Sequence, residues 1–276
     1  MSYRYGSSAQ QTTFRSDYAL SNEAIAHYAP SVLAQSAHES RGERYTFIPT
    51  IDVIDGLRGQ GFQPYEVRQT KVRDEGKREH TKHMVRLRHE SAVASKEQVG
   101  EIILLNSHDG SSSYQLLSGF FRFVCSNGLI AGDVCDDVRV RHTGNVVDNV
   151  IEGSFAVLDN LKAIESRIDD YKAIQLDESE QMLIAQQASV LRWGEDVAPI
   201  NPSALLRIKR SADDDRSLWT TFNRVQEGLL QGGIAGRSAT GRRTRTRTVG
   251  GVSENVKLNK ALWSITEHFA KLKLAA

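Results

Sequence analysis

The segment EIILLNSHDGSSSYQLL, residues 101–117, indicates the fold. Its apolar run at residues 102–105 is typical of a strand in the middle of a sheet. The dipeptide Asp109-Gly110 follows among serines, and such a dipeptide favours a tight turn between antiparallel strands. Residues 114–117 then supply the returning strand. The segment therefore predicts a β-hairpin at the centre of an antiparallel sheet.

Stretches on both sides of this hairpin predict further strands. Apolar and polar residues alternate around residues 65–67, 85–87 and 138–141, which is the period-2 pattern of half-buried strands. Residues 120–129 fit either a strand or a short helix. We also expect a short strand at residues 45–49, before a helix for which Thr50 is the expected N-cap.

The second half of the chain has helical periodicity. From about Gly153, apolar residues recur at intervals of three and four, as on the buried face of a helix. The dipeptide Asn201-Pro202 favours another helical start, and Gly232-Gly233 favours a helix end. The helices expected are at residues 153–171, 178–193, 213–231 and 254–272.

These patterns predict an α+β protein. A curved antiparallel sheet with packed helices forms the N-terminal half, and an α-helical C-terminal half follows. The expected organisation is a flexible N-terminal arm at residues 1–18, a sheet domain at residues 19–152, and a helical region at residues 153–276 that carries an arginine-rich loop at residues 234–251.

Composition excludes several classes of protein. The 276 residues are 39% hydrophobic and 25% charged, which is ordinary for a globular protein, and the net charge is +1. The sequence has no run of about 18 apolar residues, so no membrane span is predicted. The N-terminus lacks the apolar core of a signal peptide. The two cysteines are too few for a disulfide framework. A cytoplasmic location is therefore expected.

Positive charge is concentrated near the C-terminus. The segment IAGRSATGRRTRTRTVGG, residues 234–251, has five arginines and no acidic residue. Its glycines, serines and threonines predict a flexible loop. Guanidinium groups pair with phosphate oxygens, so the loop suits a sugar–phosphate backbone; the alternative is a solvated loop, or one paired with acidic residues elsewhere. The nucleic-acid-binding residues predicted here are Arg237, Arg242, Arg243, Arg245 and Arg247.

Arg86 and Arg88 form a second set of nucleic-acid-binding candidates. They alternate with Val85 and Leu87 and would share the opposite face of a strand. Beside the arginine-rich loop, that face would form one side of a groove for a nucleic acid strand. The alternative is an ordinary solvated strand.

Histidines and the NSHDG motif are the remaining candidates for chemistry. His80, His83, His89 and His108 lack the spacing and partners of a metal site, so neither a metal nor a cofactor is expected. Adjacent Ser, His and Asp residues do not make a catalytic triad, because their side chains point in different directions. We expect Cys125 to be a small buried residue. The motif residues whose role stays open are Asn106, His108, Asp109, Arg122 and Asn127.

Several motifs resemble a known family. YTFIPTIDVIDGLRGQGFQPYEVRQTKVR (residues 45–73), HTKHMVRLRH (80–89), LLNSHDGSSSYQLLSGFFRFVCSNGLI (104–130), VRVRHTG (138–144) and NVKLNKALWSITEHFAKL (255–272) are similar to phage- and plasmid-carried proteins classed as a domain of unknown function. This resemblance implies a bacterial mobile genetic element. It implies no activity.

A more distant resemblance concerns the order of elements. A helix followed by strands and a hairpin is similar to the core of RecT and Red-beta single-strand annealing proteins, which form rings or filaments on DNA. The hypothesis is therefore a non-enzymatic protein that binds or anneals single-stranded DNA as a homo-oligomer in recombination or replication. One alternative is an anti-defence protein that contacts a host protein, and another is a hydrolase or nuclease that uses the turn at residues 106–109.

Overall fold

The structure is a computed structural model that describes residues 12–42, 45–72, 74–90, 98–123, 127–131, 138–139 and 146–275. The N-terminal half contains seven strands and two α-helices among these residues. They are β1 (Thr13–Arg15), α1 (Asn22–Tyr28), α2 (Thr50–Arg58), β2 (Phe62–Gln69), β3 (His83–His89), β4 (Gln98–Asn106), β5 (Gln115–Arg122), β6 (Asn127–Ile130) and β7 (Val138–Arg139).

The C-terminal half is mainly helical. Its described elements are α3 (Val146–Ala173), α4 (Glu178–Trp193), α5 (Leu218–Gln231), β8 (Ala235–Arg237), β9 (Arg243–Arg245) and α6 (Val252–Ala275). The expected fold class, α+β with a sheet and then helices, is confirmed. Short 3₁₀ helices lie at Pro30–Leu33, Glu75–His80, Pro202–Leu206 and Ser211–Asp213.

The sheet is an antiparallel meander. Strands β1 to β6 pair in chain order, and β7 pairs with β5. The predicted central hairpin is confirmed, since β4 and β5 pair from Leu105 and Gln115 at the turn to Gln98 and Arg122. Gly110 in that turn has a φ of +76°, a conformation that glycine adopts readily.

Some local predictions need correction, and one open alternative is decided. Residues 45–49 form no strand, and Thr50 is the first residue of α2 rather than its cap. Residues 120–122 and 127–129 of the ambiguous segment lie in β5 and β6, so the strand alternative is confirmed there. Part of the arm expected to be flexible forms β1, in which Phe14 stacks on Tyr28 with ring centroids 4.3 Å apart.

Each face of the sheet packs against a different part of the chain. One face places Val85, Leu87 and Ile102 in a core with residues of α1 and α2. Met84 and Ile103 point to the other face, where Val252 at the start of α6 joins their smaller cluster. Successive residues of these strands point to opposite faces of the sheet, and both faces are buried.

Helix α3 connects the two halves. Its residue Val150 lies in the core under the sheet, whereas Ile164 lies in the core formed by the C-terminal helices. Phe120 and Leu129 of the sheet also belong to that second core. The predicted boundary between residues 152 and 153 thus falls within a helix that packs in both cores. No helix in the described part of the chain is long and apolar enough to cross a membrane.

Candidate nucleic-acid interface

The arginine-rich segment forms a β-hairpin, not the predicted loop. β8 and β9 are antiparallel, with Arg237 opposite Arg243 and Ala235 opposite Arg245. Residues at alternate positions of a strand share a face, and so do residues directly opposite across a pair. Arg237, Arg243 and Arg245 therefore lie on one face. In the sequence R-T-R-T-R at residues 243–247, arginine and threonine alternate as in a strand. The glycines and serines around it led to the prediction of a loop.

The other face of the hairpin packs against the protein. The backbone N–H of Arg237 donates to the carbonyl oxygen of Pro199 at 2.7 Å. A Cβ on Gly236 would lie 2.0 Å from that same oxygen, so the contact requires glycine. Thr246 is buried, and its Oγ1 accepts a hydrogen bond from the N–H of Ile234 at 3.0 Å. The arginine face is consequently held outward.

All five arginines of this segment are exposed. Nη1 of Arg237 donates to the carbonyl oxygen of Gly241, and Nη1 of Arg245 donates to that of Gly233, each at 3.0 Å. None of the five forms an ion pair with a carboxylate of the described residues. Their charge therefore faces solvent; the five are Arg237, Arg242, Arg243, Arg245 and Arg247.

The structure corrects the second set of candidates. Arg86 and Arg88 are 1% and 2% exposed, so neither lies on an open surface of the sheet as was predicted. Both pair with Glu101, through Nε of Arg86 to Oε2 at 2.5 Å and Nε of Arg88 to Oε1 at 2.9 Å. The face that they share is covered, so the two arginines do not form the exposed side of a groove, although Arg86 lines a pocket.

A second carboxylate extends this buried network. Glu66 lies opposite Arg15 on one side and opposite Arg86 on the other, in one row across β1, β2 and β3. Its oxygens accept from Arg15 at 2.5 Å and from Arg68 at 3.3 Å. Burial alone would raise the pKa of Glu66, but Arg15, Arg86 and Arg68 hold it below its ordinary value. The sequence interpretation missed this network, although its members alternate with apolar residues.

The motif residues fall into two separate places. Nδ2 of Asn106 donates to Oγ1 of Thr50 at 3.0 Å, and His108 is buried beside them. Asp109 accepts from the N–H of Ser111 at 2.9 Å, as expected for a turn. Arg122 lies elsewhere and pairs with Asp213 at 2.6 Å. The side chain of Asn127 is outside the described residues, as are Cys125 and Cys135.

His83 and His108 form a buried pair below the NSHDG turn. Their ring centroids are 5.2 Å apart, and Oγ1 of Thr50 lies 2.9 Å from Nε2 of His83. Burial, with repulsion from His108, lowers the pKa of His83 to about 3; burial, with repulsion from His80, lowers the pKa of His108 to about 4. Both are therefore neutral at pH 7. Within the described ranges, no three His, Cys, Asp or Glu side chains are grouped to hold a metal ion.

Comparisons with known proteins identify relatives over most of the chain. A family model described as "Domain of unknown function (DUF932)" matches residues 37–263. The UPF0380 proteins YafZ and YfjQ of Escherichia coli (strain K12) are each 49% identical to this chain over 253 residues, which cover 92% of this chain and 92% of each relative. No solved structure gives a significant match.

Proposed function

The chain belongs to the family described as Domain of unknown function (DUF932), so its function has to be inferred from its own surface, and we propose that it binds nucleic acid through the β8–β9 hairpin. The family expected from the sequence motifs is thereby confirmed. The distant likeness to RecT and Red-beta proteins, and the role in a mobile genetic element, stay predictions.

The observation that supports the proposal is the presentation of three arginines on one exposed face. Arg237, Arg243 and Arg245 share that face, and the opposite face of the hairpin is packed on Pro199. Because the hairpin is held by the protein, its backbone needs little ordering before the guanidinium groups contact phosphates. An arginine ribbon of this kind favours repeated contacts with a sugar–phosphate backbone.

The hairpin favours binding to nucleic acid of any nucleotide sequence. Its exposed charged side chains are arginines, and contacts to phosphates carry no direct information about the bases. Trp219 and Trp263 are buried in the helical core, so neither offers an exposed ring on which a base could stack. We propose single-stranded DNA as the substrate and annealing as its outcome, following the resemblance to annealing proteins.

Fluorescence anisotropy tests the proposal with a labelled single strand and its duplex at several salt concentrations. Each phosphate contact contributes about 0.7–0.9 to the slope of log affinity against log salt. The variant with Arg237→Gln, Arg243→Gln and Arg245→Gln should therefore bind less tightly, with a slope shallower by up to about 2–3. Preferential binding of the single strand, followed by faster pairing of complementary strands, would support annealing.

A matched control distinguishes binding through the hairpin from an effect of net charge alone. The variant with Lys162→Gln, Arg207→Gln and Lys271→Gln removes the same charge from exposed positions on or near other helices. It should retain the affinity and slope of the wild type. The proposal is wrong if the folded wild type binds neither form of DNA at low salt, or if the two variants lose affinity equally.

A further inference from the structure

A pocket lies at the base of the hairpin, on the charged face of the sheet. Its volume is about 440 Å³, and it is partly open to solvent. Strands β1, β2, β3 and β6 form one wall, and the end of α5 with the start of α6 forms the other. Polar and charged side chains that line it include Arg15, Glu66, Arg68, Arg86, Gln231, Thr248 and Asn255.

The network beneath this pocket has an excess of positive charge. Four guanidinium groups, those of Arg15, Arg68, Arg86 and Arg88, share the two carboxylates of Glu66 and Glu101. Both carboxylates already accept from two arginines each. The guanidinium groups of the network therefore outnumber its carboxylates.

Arg68 is an arginine of this network whose bonding is incomplete. Its side chain is 13% exposed, Nη1 donates to the carbonyl oxygen of Val249 at 3.2 Å, and Nη2 is 3.3 Å from Glu66. Nε is buried, and it has no hydrogen-bond partner among the described residues. Buried polar groups normally have partners, and a ligand in the adjoining pocket would supply one for this guanidinium. Burial and the neighbouring arginines also lower the pKa of Arg68.

Arg86 contributes a second donor that the fold holds in place. Its Nε is engaged by Glu101, and Nη2 donates to the carbonyl oxygen of Leu129 at 2.8 Å. The guanidinium is thus fixed within the pocket wall. Two fixed guanidinium groups beside a cavity suit a tetrahedral oxyanion, because both carry a positive charge and Nη1 of Arg86 is used in neither of those bonds.

We propose that this pocket binds the phosphoryl group of a small phosphorylated ligand, with Arg68 and Arg86 as the main contacts. The volume is within the range of small-molecule sites and exceeds what a lone phosphate needs. The polar side chains of Gln231, Thr248 and Asn255 lie where they can contact the rest of the ligand. The site does not depend on nucleic-acid binding by the hairpin. The phosphoryl group can belong to a free mononucleotide or to the 5′ end of a DNA strand.

Isothermal titration calorimetry in a phosphate- and sulfate-free buffer tests the site directly. The probes are inorganic phosphate, deoxythymidine monophosphate, and a short oligonucleotide with or without a 5′-phosphate. Wild-type protein should bind phosphate and the monophosphate. Arg68→Gln should weaken both by about tenfold or more, as expected for loss of a charge-assisted hydrogen bond.

A second variant covers the case in which Arg68→Gln does not fold. Gln231→Glu places a negative charge in the pocket at an exposed position, so it should fold and still weaken phosphate binding. Gln187→Glu makes the same change on the exposed face of α4 and should bind like the wild type. The hairpin variant with three Arg→Gln changes should also keep phosphate binding, which separates this site from the nucleic-acid proposal.

The outcomes decide between the two sources of phosphate. Binding of the monophosphate with no preference for a phosphorylated oligonucleotide indicates a free ligand, and a strong preference for the phosphorylated oligonucleotide indicates a strand end. The site is refuted if the wild type binds none of the phosphate probes, or if Gln231→Glu binds them as tightly as Gln187→Glu does.

Discussion

Gly128 lies directly against the guanidinium of Arg86: a Cβ on Gly128 would be 2.5 Å from Cζ of Arg86 and 2.6 Å from Nη1. Gly119 on the neighbouring strand makes a similar space, since its Cβ would be 3.0 Å from Nη2. Arg86 therefore extends across β5 and β6 because both strands have glycine beneath it. The arginine network and these two glycines form one structural unit.

Gly128→Ala is expected to destabilise the protein. The added methyl group must displace a guanidinium that is bonded to Glu101 and to the carbonyl of Leu129, and overpacking of this kind costs about 1–3 kcal/mol. Urea denaturation should show the lower free energy of unfolding. Gly250→Ala is the control, because nothing lies within 4 Å of a Cβ there. Equal stability of the two variants would mean that Arg86 moves aside at little cost.

Glu101→Gln should lower the free energy of unfolding more than the loss of a surface carboxylate does. It leaves Arg86 and Arg88 buried with no full counter-charge, and breaking a buried ion pair costs about 3–5 kcal/mol. Glu178→Gln is the matched control, since its pair with Arg216 is exposed and worth less than about 1 kcal/mol. Chemical denaturation of both variants gives the comparison. A small effect at Glu101 would indicate that water or an anion already compensates the arginines.

The sequence predicted those parts of the fold that local patterns determine. The hairpin around Asp109-Gly110 depends on a turn and on alternation within a few residues, and the structure has it at that place. Helix α4 was expected at residues 178–193, and the structure has Glu178–Trp193. In both cases neighbouring residues determine the backbone conformation.

Features that depend on distant parts of the chain could not be predicted in this way. Arg86 alternates with apolar residues like any solvated strand residue, and only the packing of α6 on that face of the sheet shows that it is buried. The pairing of β1 with β2 joins Arg15 to Glu66, which is 51 residues away. The partner of a buried charge is a tertiary property, so the network and its pocket were not apparent from spacing.

Stability should fall as the pH is lowered from 7 to about 5. In the unfolded chain a histidine binds a proton near its ordinary pKa of 6.5, whereas folded His83 and His108 stay neutral until about pH 3 and pH 4. The unfolded state therefore takes up protons that the folded state does not. By linkage, each histidine lowers the free energy of unfolding at pH 5 by on the order of 2 kcal/mol relative to pH 7. Glu66, whose pKa is lowered, keeps its charge in this range.

Denaturation midpoints at several pH values check this dependence. His83→Gln should roughly halve the loss of unfolding free energy between pH 7 and pH 5, whatever it does to stability at pH 7. His268→Gln, at an exposed position of α6, should leave the dependence unchanged. An unaltered pH dependence in His83→Gln would show that this histidine is not the group that titrates on unfolding.

Gly236→Ala should weaken nucleic-acid binding although it changes no arginine. Its Cβ would lie 2.0 Å from the carbonyl oxygen of Pro199, so the hairpin must separate from the residues that hold it. The backbone hydrogen bond from Arg237 to Pro199 would then be lost. The exposed arginines would remain, but an unsupported hairpin has to be ordered at the cost of binding free energy. We expect a lower affinity at every salt concentration, with little change in the salt slope, because the number of charges is the same.

Two measurements separate this effect from unfolding. Hydrogen exchange should become faster for the amides of residues 235–245 and stay unchanged in β4 and β5, which lie elsewhere in the fold. Anisotropy on the same sample then gives the affinity, with Gly250→Ala as the control. If exchange in the hairpin rises while the affinity stays at the wild-type level, the docked geometry is unnecessary and the charge alone accounts for binding. If both change together, the packing on Pro199 is part of the nucleic-acid site.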